Sequence, residues 1–279
     1  MECKESIKNP SILGFLEWKD LKMQKIVEQV WDYTKHAKFY EFRPNYAPAT
    51  IDMLVSLVQK NQNKEAIKVA DIGAGTGNLS IMLLERGCEV VSVEPNDAMR
   101  EIGIERTKGQ KIEWVRATGI DSTLQKGEFD WVTFGSSFNV MDRVEALKEA
   151  HRLLKPRTYF SCMWNHRDLN DPIQKIAEDT IIEFVPHYTR GVRREDQRPI
   201  IESHKELFDN IIYIEEDFYF HQSLENYIKA WRSVKNPYWD LETKEGEELF
   251  NKITDALKQR LPQELDIKYT TRCWSAKRV

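Results

Sequence analysis

The chain has 279 residues, of which 41% are hydrophobic and 31% are charged, and its formal net charge is -4. This length suits one α/β domain with an added insertion. No apolar run approaches the roughly 20 residues of a membrane helix. A chain with net negative charge has no global attraction for a polyanion, so we expect neither a membrane nor a nucleic-acid partner.

The four cysteines indicate neither a metal site nor a disulfide framework, because they are far apart and form no CxxC or Cys/His cluster. The first residues, MECKESIKNP, lack the apolar core of a secretory signal. We therefore expect a soluble cytoplasmic protein without a metal. We expect it to act on a small molecule, as a monomer or homodimer.

The N-terminal part is helical in pattern. From Leu21 to about Lys60 it predicts two helices, joined by the loop FYEFRPNYAP, in which Pro44 and Pro48 interrupt an aromatic run. We assign residues 1–62 to an N-terminal helical cap segment and residues 63–279 to the main domain.

Seven apolar segments have the length and composition of strands. They are IKVADIG (67–73), EVVSVEP (89–95), KIEWVRA (111–117), FDWVTFG (129–135), TYFSCMW (158–164), IIYIEEDFYFHQ (211–222) and IKYTTRCWSAKR (267–278). Strands alternate with helical patterns along the first five, at a spacing that predicts a Rossmann-like, doubly wound α/β sheet with helices on both faces. The rhythm ends after the fifth strand, so we expect a helical lid insertion around 168–210 and a helical segment around 223–260.

A glycine turn follows the first strand, where Gly73, Gly75 and Gly77 precede a helix. Exposed backbone N–H groups at such a turn can receive polar or anionic ligand atoms. A dinucleotide fingerprint would have a third glycine at Asn78. Asp71 would repel a pyrophosphate but could pair, directly or through water, with an α-ammonium group. The turn therefore favours the amino-acid end of S-adenosylmethionine over a diphosphate.

Glu94 ends the second strand, seventeen residues after Gly77. A carboxylate at that place can accept hydrogen bonds from both hydroxyls of a ribose. It suits either cofactor and does not discriminate between them.

The sequence also resembles a known family. DIGAGTG followed by VEPNDAM resembles the first two motifs of class I S-adenosylmethionine-dependent methyltransferases. The stretches FYEFRPNYAP, SFNVMDRVEALKEAHRLLKP and MWNHRDLNDP resemble the branch that includes trans-aconitate methyltransferase-like and ubiquinone-biosynthesis-like enzymes. The resemblance covers roughly residues 36–279. It implies a seven-stranded, mostly parallel sheet with an antiparallel last strand, and S-adenosylmethionine as cofactor.

The resemblance places residues at each part of the cofactor. Asp71 and the three glycines would surround its methionyl portion, Glu94 its ribose, and Asn96 and Met99 its adenine. Family members commonly have an acid after strand three, where this chain has Ile120. The remaining implied cofactor residues are Tyr40, Arg43, Thr118, Gly119, Gly135 and Ser136. For Tyr40 and Arg43, aromatic packing with a surface arginine is an equal alternative.

Catalysis and the acceptor pocket are assigned to the segments after strands four and five. Asn139 stands where related enzymes often have a histidine; it can orient a substrate by hydrogen bonding but cannot act as a base. His166 is the nearest candidate base, and a carboxylate acceptor would need none. Tyr46, Phe138, Trp164 and Trp231 are the candidate pocket residues, with packing as the alternative for each aromatic side chain.

We predict a methyltransferase that acts on a small molecule by in-line displacement, at an oxygen atom of a hydroxyl or carboxylate. N- or C-methylation, a nicotinamide-dependent oxidoreductase and a catalytically silent cofactor-binding protein are the alternatives. The arginines of RGVRREDQR (190–198) could hold an anionic acceptor, although a solvated loop is the favoured interpretation.

Overall fold

The computed structural model describes residues 33–189 and 195–279, and from Thr34 onward the chain forms one compact unit. The predicted first helix, which starts at Leu21, lies largely outside the described residues. Three arginines of RGVRREDQR, namely Arg190, Arg193 and Arg194, also lie outside them. Their contact with an anionic acceptor therefore stays a prediction.

The described residues contribute seven strands to one sheet, in the order β3-β2-β1-β4-β5-β7-β6. The strands are β1 (Lys68–Ile72), β2 (Glu89–Val93), β3 (Ile112–Val115), β4 (Phe129–Gly135), β5 (Leu154–Arg167), β6 (Phe208–Ser223) and β7 (Glu264–Arg278). Neighbours among β1 to β5 pair in parallel, whereas β7 runs antiparallel to both β5 and β6. The predicted Rossmann-like sheet with an antiparallel last strand is confirmed.

Helices connect the strands and cover both faces of the sheet. The α-helices are α1 (Pro48–Gln62), α2 (Asn78–Leu84), α3 (Asp97–Arg106), α4 (Arg143–Leu153), α5 (Pro172–Phe184), α6 (Arg198–Glu202), α7 (Leu224–Arg232) and α8 (Lys244–Arg260). Two short 3₁₀ helices, Ala37–Phe42 and Phe138–Val140, complete the described helical part. The first of them occupies part of the segment predicted as a loop.

Polar caps fix where several of these helices begin. The side chain of Asn96 accepts a hydrogen bond from the backbone of Met99 at the start of α3. Asp142 and Asp171 cap α4 and α5 in the same way. Each cap satisfies a backbone N–H group that the helix itself leaves unpaired.

The core lies on both faces of the sheet, which is why the central strands read as unbroken apolar runs. Val132, Phe134 and Phe160 belong to a cluster on one face, with residues of α4 and α6. Trp131 belongs to the cluster on the other face, which includes residues of α1 and α2. The predicted domain boundary at residue 62 stays a prediction, although α1 packs in the core of the main domain.

Strands β5, β6 and β7 extend well past the other strands. The sequence predicted that β5 ends at Trp164 and that His166 lies after its end. In the structure β5 continues to Arg167, and His166 is paired with Thr270 of β7. The prediction was wrong because the side chains at this end of β5 are polar and do not have the apolar pattern of a strand. The backbone there is nevertheless paired with β7.

Three helices and the extended strands share a separate hydrophobic cluster. Helices α5, α7 and α8 contribute Ile181, Tyr227 and Phe250, and β7 contributes Leu265 and Ile267. The predicted lid insertion and the predicted helical segment therefore meet in one core. No helix of the described ranges is both long enough and apolar enough to cross a membrane.

Candidate active site

The glycine turn lies at the carboxyl end of β1. The backbone N–H groups of Gly73 and Ala74 donate to the carbonyl of Val93 in β2, at 2.8 and 3.0 Å. A Cβ atom at Gly73 would lie 2.5 Å from the Cβ of Ser137, whereas a Cβ at Gly75 would meet only the flexible end of Met99, at 3.3 Å. Gly73 thus allows close packing against the loop after β4, and Gly75 stands on the less crowded side of the turn.

Glu94 links the glycine turn to the start of α3. Its Oε2 accepts from the backbone N–H of Gly75 at 2.8 Å, and its Oε1 accepts from that of Asn96 at 2.9 Å. The side chain is 8% exposed, and burial raises its pKa although the two backbone donors act in the opposite direction. The carboxylate therefore lies between the two loops that would contact a nucleoside.

Asp71 lies inside the sheet, below the glycine turn. It has no exposed surface, and it accepts hydrogen bonds from the hydroxyls of Ser80 (2.6 Å) and Thr133 (3.0 Å). Burial raises its pKa to about 6, and the two hydroxyl donors oppose that shift. A ligand ammonium group above the turn would interact with the charge of Asp71 across the intervening backbone or water.

Tyr46 closes the site next to the loop after β4. Its hydroxyl lies 2.9 Å from the Oγ of Ser136, and a Cβ at Gly135 would come within 3.0 Å of it. Burial raises the pKa of Tyr46, so the phenol is neutral at physiological pH. Tyr46 can therefore position a ligand by hydrogen bonding but does not supply a phenolate.

The segment 36–47, which we call the N-terminal strap, lies between the glycine turn and the end of α7. Arg43 donates through Nε to the hydroxyl of Ser233 (2.7 Å) and through Nη2 to its carbonyl (2.6 Å), and its guanidinium lies 3.9 Å from the centre of the Tyr40 ring. The carbonyl of Tyr40 accepts from Asn78, at 3.4 Å. In these contacts Tyr40 and Arg43 pack against other parts of the chain, which is the alternative to cofactor binding. Binding of cofactor by either residue stays a prediction.

The predicted adenine side is formed by α3 and the loop after β3. Met99 is buried, and a Cβ at Gly119 would lie 2.5 Å from the sulfur of Met141. The hydroxyl of Thr118 accepts from the backbone N–H of Asp121, at 3.2 Å. Ile120 is 45% exposed. An apolar side chain thus stands at the position where the family has an acid.

The predicted acceptor residues do not all lie together: Trp164 and Asn139 are in contact, whereas Phe138 and Trp231 are buried elsewhere. Trp164 donates its indole N–H to the Oδ1 of Asn139 at 2.9 Å, at the carboxyl ends of β4 and β5. Phe138 is fully buried, with its ring centre 5.3 Å from that of Phe134, so core packing accounts for its position. Trp231 is buried in the layer that helices α5, α7 and α8 form, which we call the helical layer. Its ring centre lies 4.4 Å from the guanidinium of Arg167.

His166 is 7% exposed and lies in β5 two residues after Trp164, on the same face of the strand. Its assignment as a base stays a prediction. The described ranges contain no group of three or more histidine, cysteine or acidic side chains arranged to hold a metal.

Several residues of the site were missed in the sequence. Ser80 and Thr133 hold Asp71, and Ser137 donates to the carbonyl of Ile72 at 2.5 Å. Ser80 lies on the helix after the turn, only nine residues from Asp71, so this short separation could have indicated the contact. Ser233 gave no signal, because it is 190 positions from Arg43.

A family model described as a methyltransferase domain matches residues 70–162. The chain contains a methyltransferase domain. The match begins in β1, passes through the glycine turn, Glu94 and Asn139, and ends in β5. The resemblance to class I methyltransferases that the motifs predicted is confirmed.

Two curated relatives match this methyltransferase domain and its surroundings. An uncharacterized methyltransferase of Mycobacterium tuberculosis is 31% identical over 126 residues, which are 45% of this chain and 48% of the relative. A demethylmenaquinone methyltransferase of Staphylococcus carnosus is 32% identical over 112 residues, which are 38% of this chain and 46% of the relative. The chain thus spans about half the length of the curated relatives that it matches.

A solved structure shares the fold of the methyltransferase domain and of most of the chain. It is a phosphoethanolamine N-methyltransferase 2 of Haemonchus contortus in complex with S-adenosyl-L-methionine. The TM-score is 0.52 at 15% identity, and the match covers 91% of this chain and 59% of that one. At this identity the likeness shows the fold alone.

Proposed function

We propose that this chain is an S-adenosylmethionine-dependent methyltransferase that transfers a methyl group to an oxygen atom of a small molecule. The observation that carries the proposal is the glycine turn between two buried carboxylates: Asp71 favours an ammonium group over a pyrophosphate, and Glu94 suits a ribose. The carboxylate of Glu94 joins the glycine turn to α3, and among the described residues each of its oxygens accepts from one backbone N–H group. A ribose with two free hydroxyls fits the acceptor capacity that remains.

The residues around Glu94 suit the other parts of this cofactor. Gly75 leaves the turn open to close approach, and the buried charge of Asp71 favours a cationic amino group over a pyrophosphate. Bound S-adenosylmethionine would supply a methyl group already activated on a sulfonium. The chain then has to place an acceptor in line with that methyl group and exclude water.

The acceptor class is supported by two observations. One of the relatives is named a demethylmenaquinone methyltransferase, and demethylmenaquinone is a small molecule. In this chain Asn139 and Trp164 provide polar and aromatic surface at the strand ends, where ligands of doubly wound sheets bind. A cytoplasmic location and a monomeric or dimeric state stay predictions.

Isothermal titration calorimetry with S-adenosylhomocysteine and with NAD tests the cofactor. We expect the first to bind and the second not to bind. Glu94→Gln should weaken S-adenosylhomocysteine binding about tenfold or more, because hydrogen bonds to a charged group contribute roughly 1.5–3 kcal/mol.

The matched control is Glu89→Gln, at the opposite end of the same strand, where Glu89 forms a surface ion pair with Lys111. It should leave the dissociation constant unchanged. Binding of NAD without S-adenosylhomocysteine would make the oxidoreductase alternative correct instead.

A further inference from the structure

The hydrogen bond between Trp164 and Asn139 has a fixed direction. An indole N–H can only donate, so the atom of Asn139 that faces Trp164 is its carbonyl oxygen, Oδ1. The Nδ2 group of Asn139 must therefore point away from Trp164. No residue of the described ranges accepts a hydrogen bond from this group, and Asn139 is exposed.

Trp164 is itself held in place. Its ring packs edge-on against Trp274 with the ring centres 5.9 Å apart, and the indole N–H of Trp274 donates to Asp196 at 3.0 Å. Asp196 in turn accepts from the guanidinium of Arg198, at 2.7 Å from Nε. The orientation of the Asn139 amide thus rests on a chain of contacts within the fold.

Asn139 is also tied to the glycine turn. It lies two residues after Ser137, whose hydroxyl donates to the carbonyl of Ile72, the last residue of β1. Ser137 packs so closely on the turn that Gly73 could not carry a Cβ there. The amide of Asn139 therefore borders the crevice in which cofactor and acceptor would meet.

We propose that Trp164 fixes Asn139 with its NH2 group towards the acceptor, and that the pair thereby selects acceptors whose reacting group is an anionic oxygen. The inference rests on the proposed function. One oxygen of a carboxylate can accept from Asn139 while the other reacts. An ammonium group has only donors, so it cannot accept a hydrogen bond from the NH2 group of Asn139.

The transfer to such an acceptor balances without a base. A lone pair of the acceptor oxygen forms the new bond to the methyl carbon as the carbon–sulfur bond breaks, and the electron pair of that bond stays on sulfur. An anion and a sulfonium become a neutral methyl ester and a neutral thioether, and no proton moves. Asn139 is then a specificity residue, and Trp164 is a positioning residue.

The test uses ¹⁵N-labelled protein saturated with S-adenosylhomocysteine and two small probes, sodium acetate and methylammonium chloride at equal ionic strength. The signals of the Asn139 NH2 group and the Trp164 indole N–H are assigned from their absence in Asn139→Asp and Trp164→Phe. We expect acetate to shift the Asn139 signals, and with them the Trp164 indole signal, in a saturable way, and methylammonium to leave both unchanged.

Trp164→Phe keeps an aromatic ring but removes the donor, so it should weaken the acetate response about three- to tenfold. Asn139→Asp keeps an acceptor for Trp164 but has no donor. In this variant the Trp164 indole signal is the readout: it should remain, should not respond to acetate and should shift with methylammonium.

Absence of an acetate response in the wild-type protein, or equal responses to both probes, would overturn the proposal. An acetate response that Trp164→Phe leaves unchanged would overturn the positioning role of Trp164. Calorimetry with S-adenosylhomocysteine on each variant separates these results from a failure of the proposed function, because only that failure would abolish binding in the wild-type protein.

Discussion

Asp71 is fully buried inside the sheet, below the glycine turn. The sequence placed an acid two positions before the glycine turn and suggested a contact with the cofactor. The structure buries that carboxylate under two hydroxyl donors and raises its pKa from 3.8 to about 6. The glycines and Glu94 could be predicted because a strand–turn–helix motif is local. The partners of Asp71 could not, because Thr133 reaches it only through sheet pairing.

The raised pKa of Asp71 predicts a pH-dependent stability. The folded chain binds the proton of Asp71 more tightly than the unfolded chain, so this contribution is fully present below about pH 4 and is lost as pH rises through about 6. Asp71→Asn has no such loss. Its free energy of unfolding relative to wild type should rise by about 2 kcal/mol between pH 4.5 and 7.5, as measured by urea denaturation.

Asp130→Asn is the control for this measurement. Burial alone would raise the pKa of Asp130, but Lys155 and Lys64 hold it below its usual value. Its carboxyl stays ionised over the same pH range, so the difference from wild type should be flat. A flat difference for Asp71→Asn as well would show that Asp71 titrates normally.

At the scale of elements, the N-terminal strap connects parts of the chain that are far apart in sequence. Arg43 bonds to Ser233 at the end of α7, and Asn165 of β5 donates to the carbonyls of Pro44 and Asn45 at 3.1 and 2.9 Å. Sequence patterns indicated a turn rich in aromatic residues but not its partners. The extension of β5 was missed for a similar reason, since β7 supplies the pairing from a distant position.

Arg43→Lys tests what the strap does. A lysine cannot make both bonds to Ser233, so we expect the free energy of unfolding to fall by about 1–2 kcal/mol. The dissociation constant of S-adenosylhomocysteine should change less than about threefold if Arg43 serves packing alone.

Arg86→Lys is the matched control, because Arg86 also bonds to several groups at once, a carboxylate on α1 and backbone carbonyls of α1 and α2. It should lower stability without affecting binding. Binding weakened more than tenfold by Arg43→Lys, at little cost in stability, would instead assign Arg43 to the carboxylate of the cofactor.

At the scale of the whole molecule, the alternating strands and helices of residues 67–164 made the fold predictable, because each unit carries its own local pattern. The helical layer was harder to predict. Helices α5, α7 and α8 come from separate stretches of the chain and share one core with β7 only after folding. The sequence indicated helices there without indicating that they form one layer.

Transfer of a methyl group to a small molecule is the activity that we propose for this fold. The most direct measurement incubates the protein with tritiated-methyl S-adenosylmethionine and a small-molecule extract of cells, then separates the metabolites. We predict label in a metabolite, strongly reduced with Glu94→Gln and unchanged with Glu89→Gln. Binding of S-adenosylhomocysteine with no label in any metabolite would contradict the claim and favour a catalytically silent cofactor-binding protein.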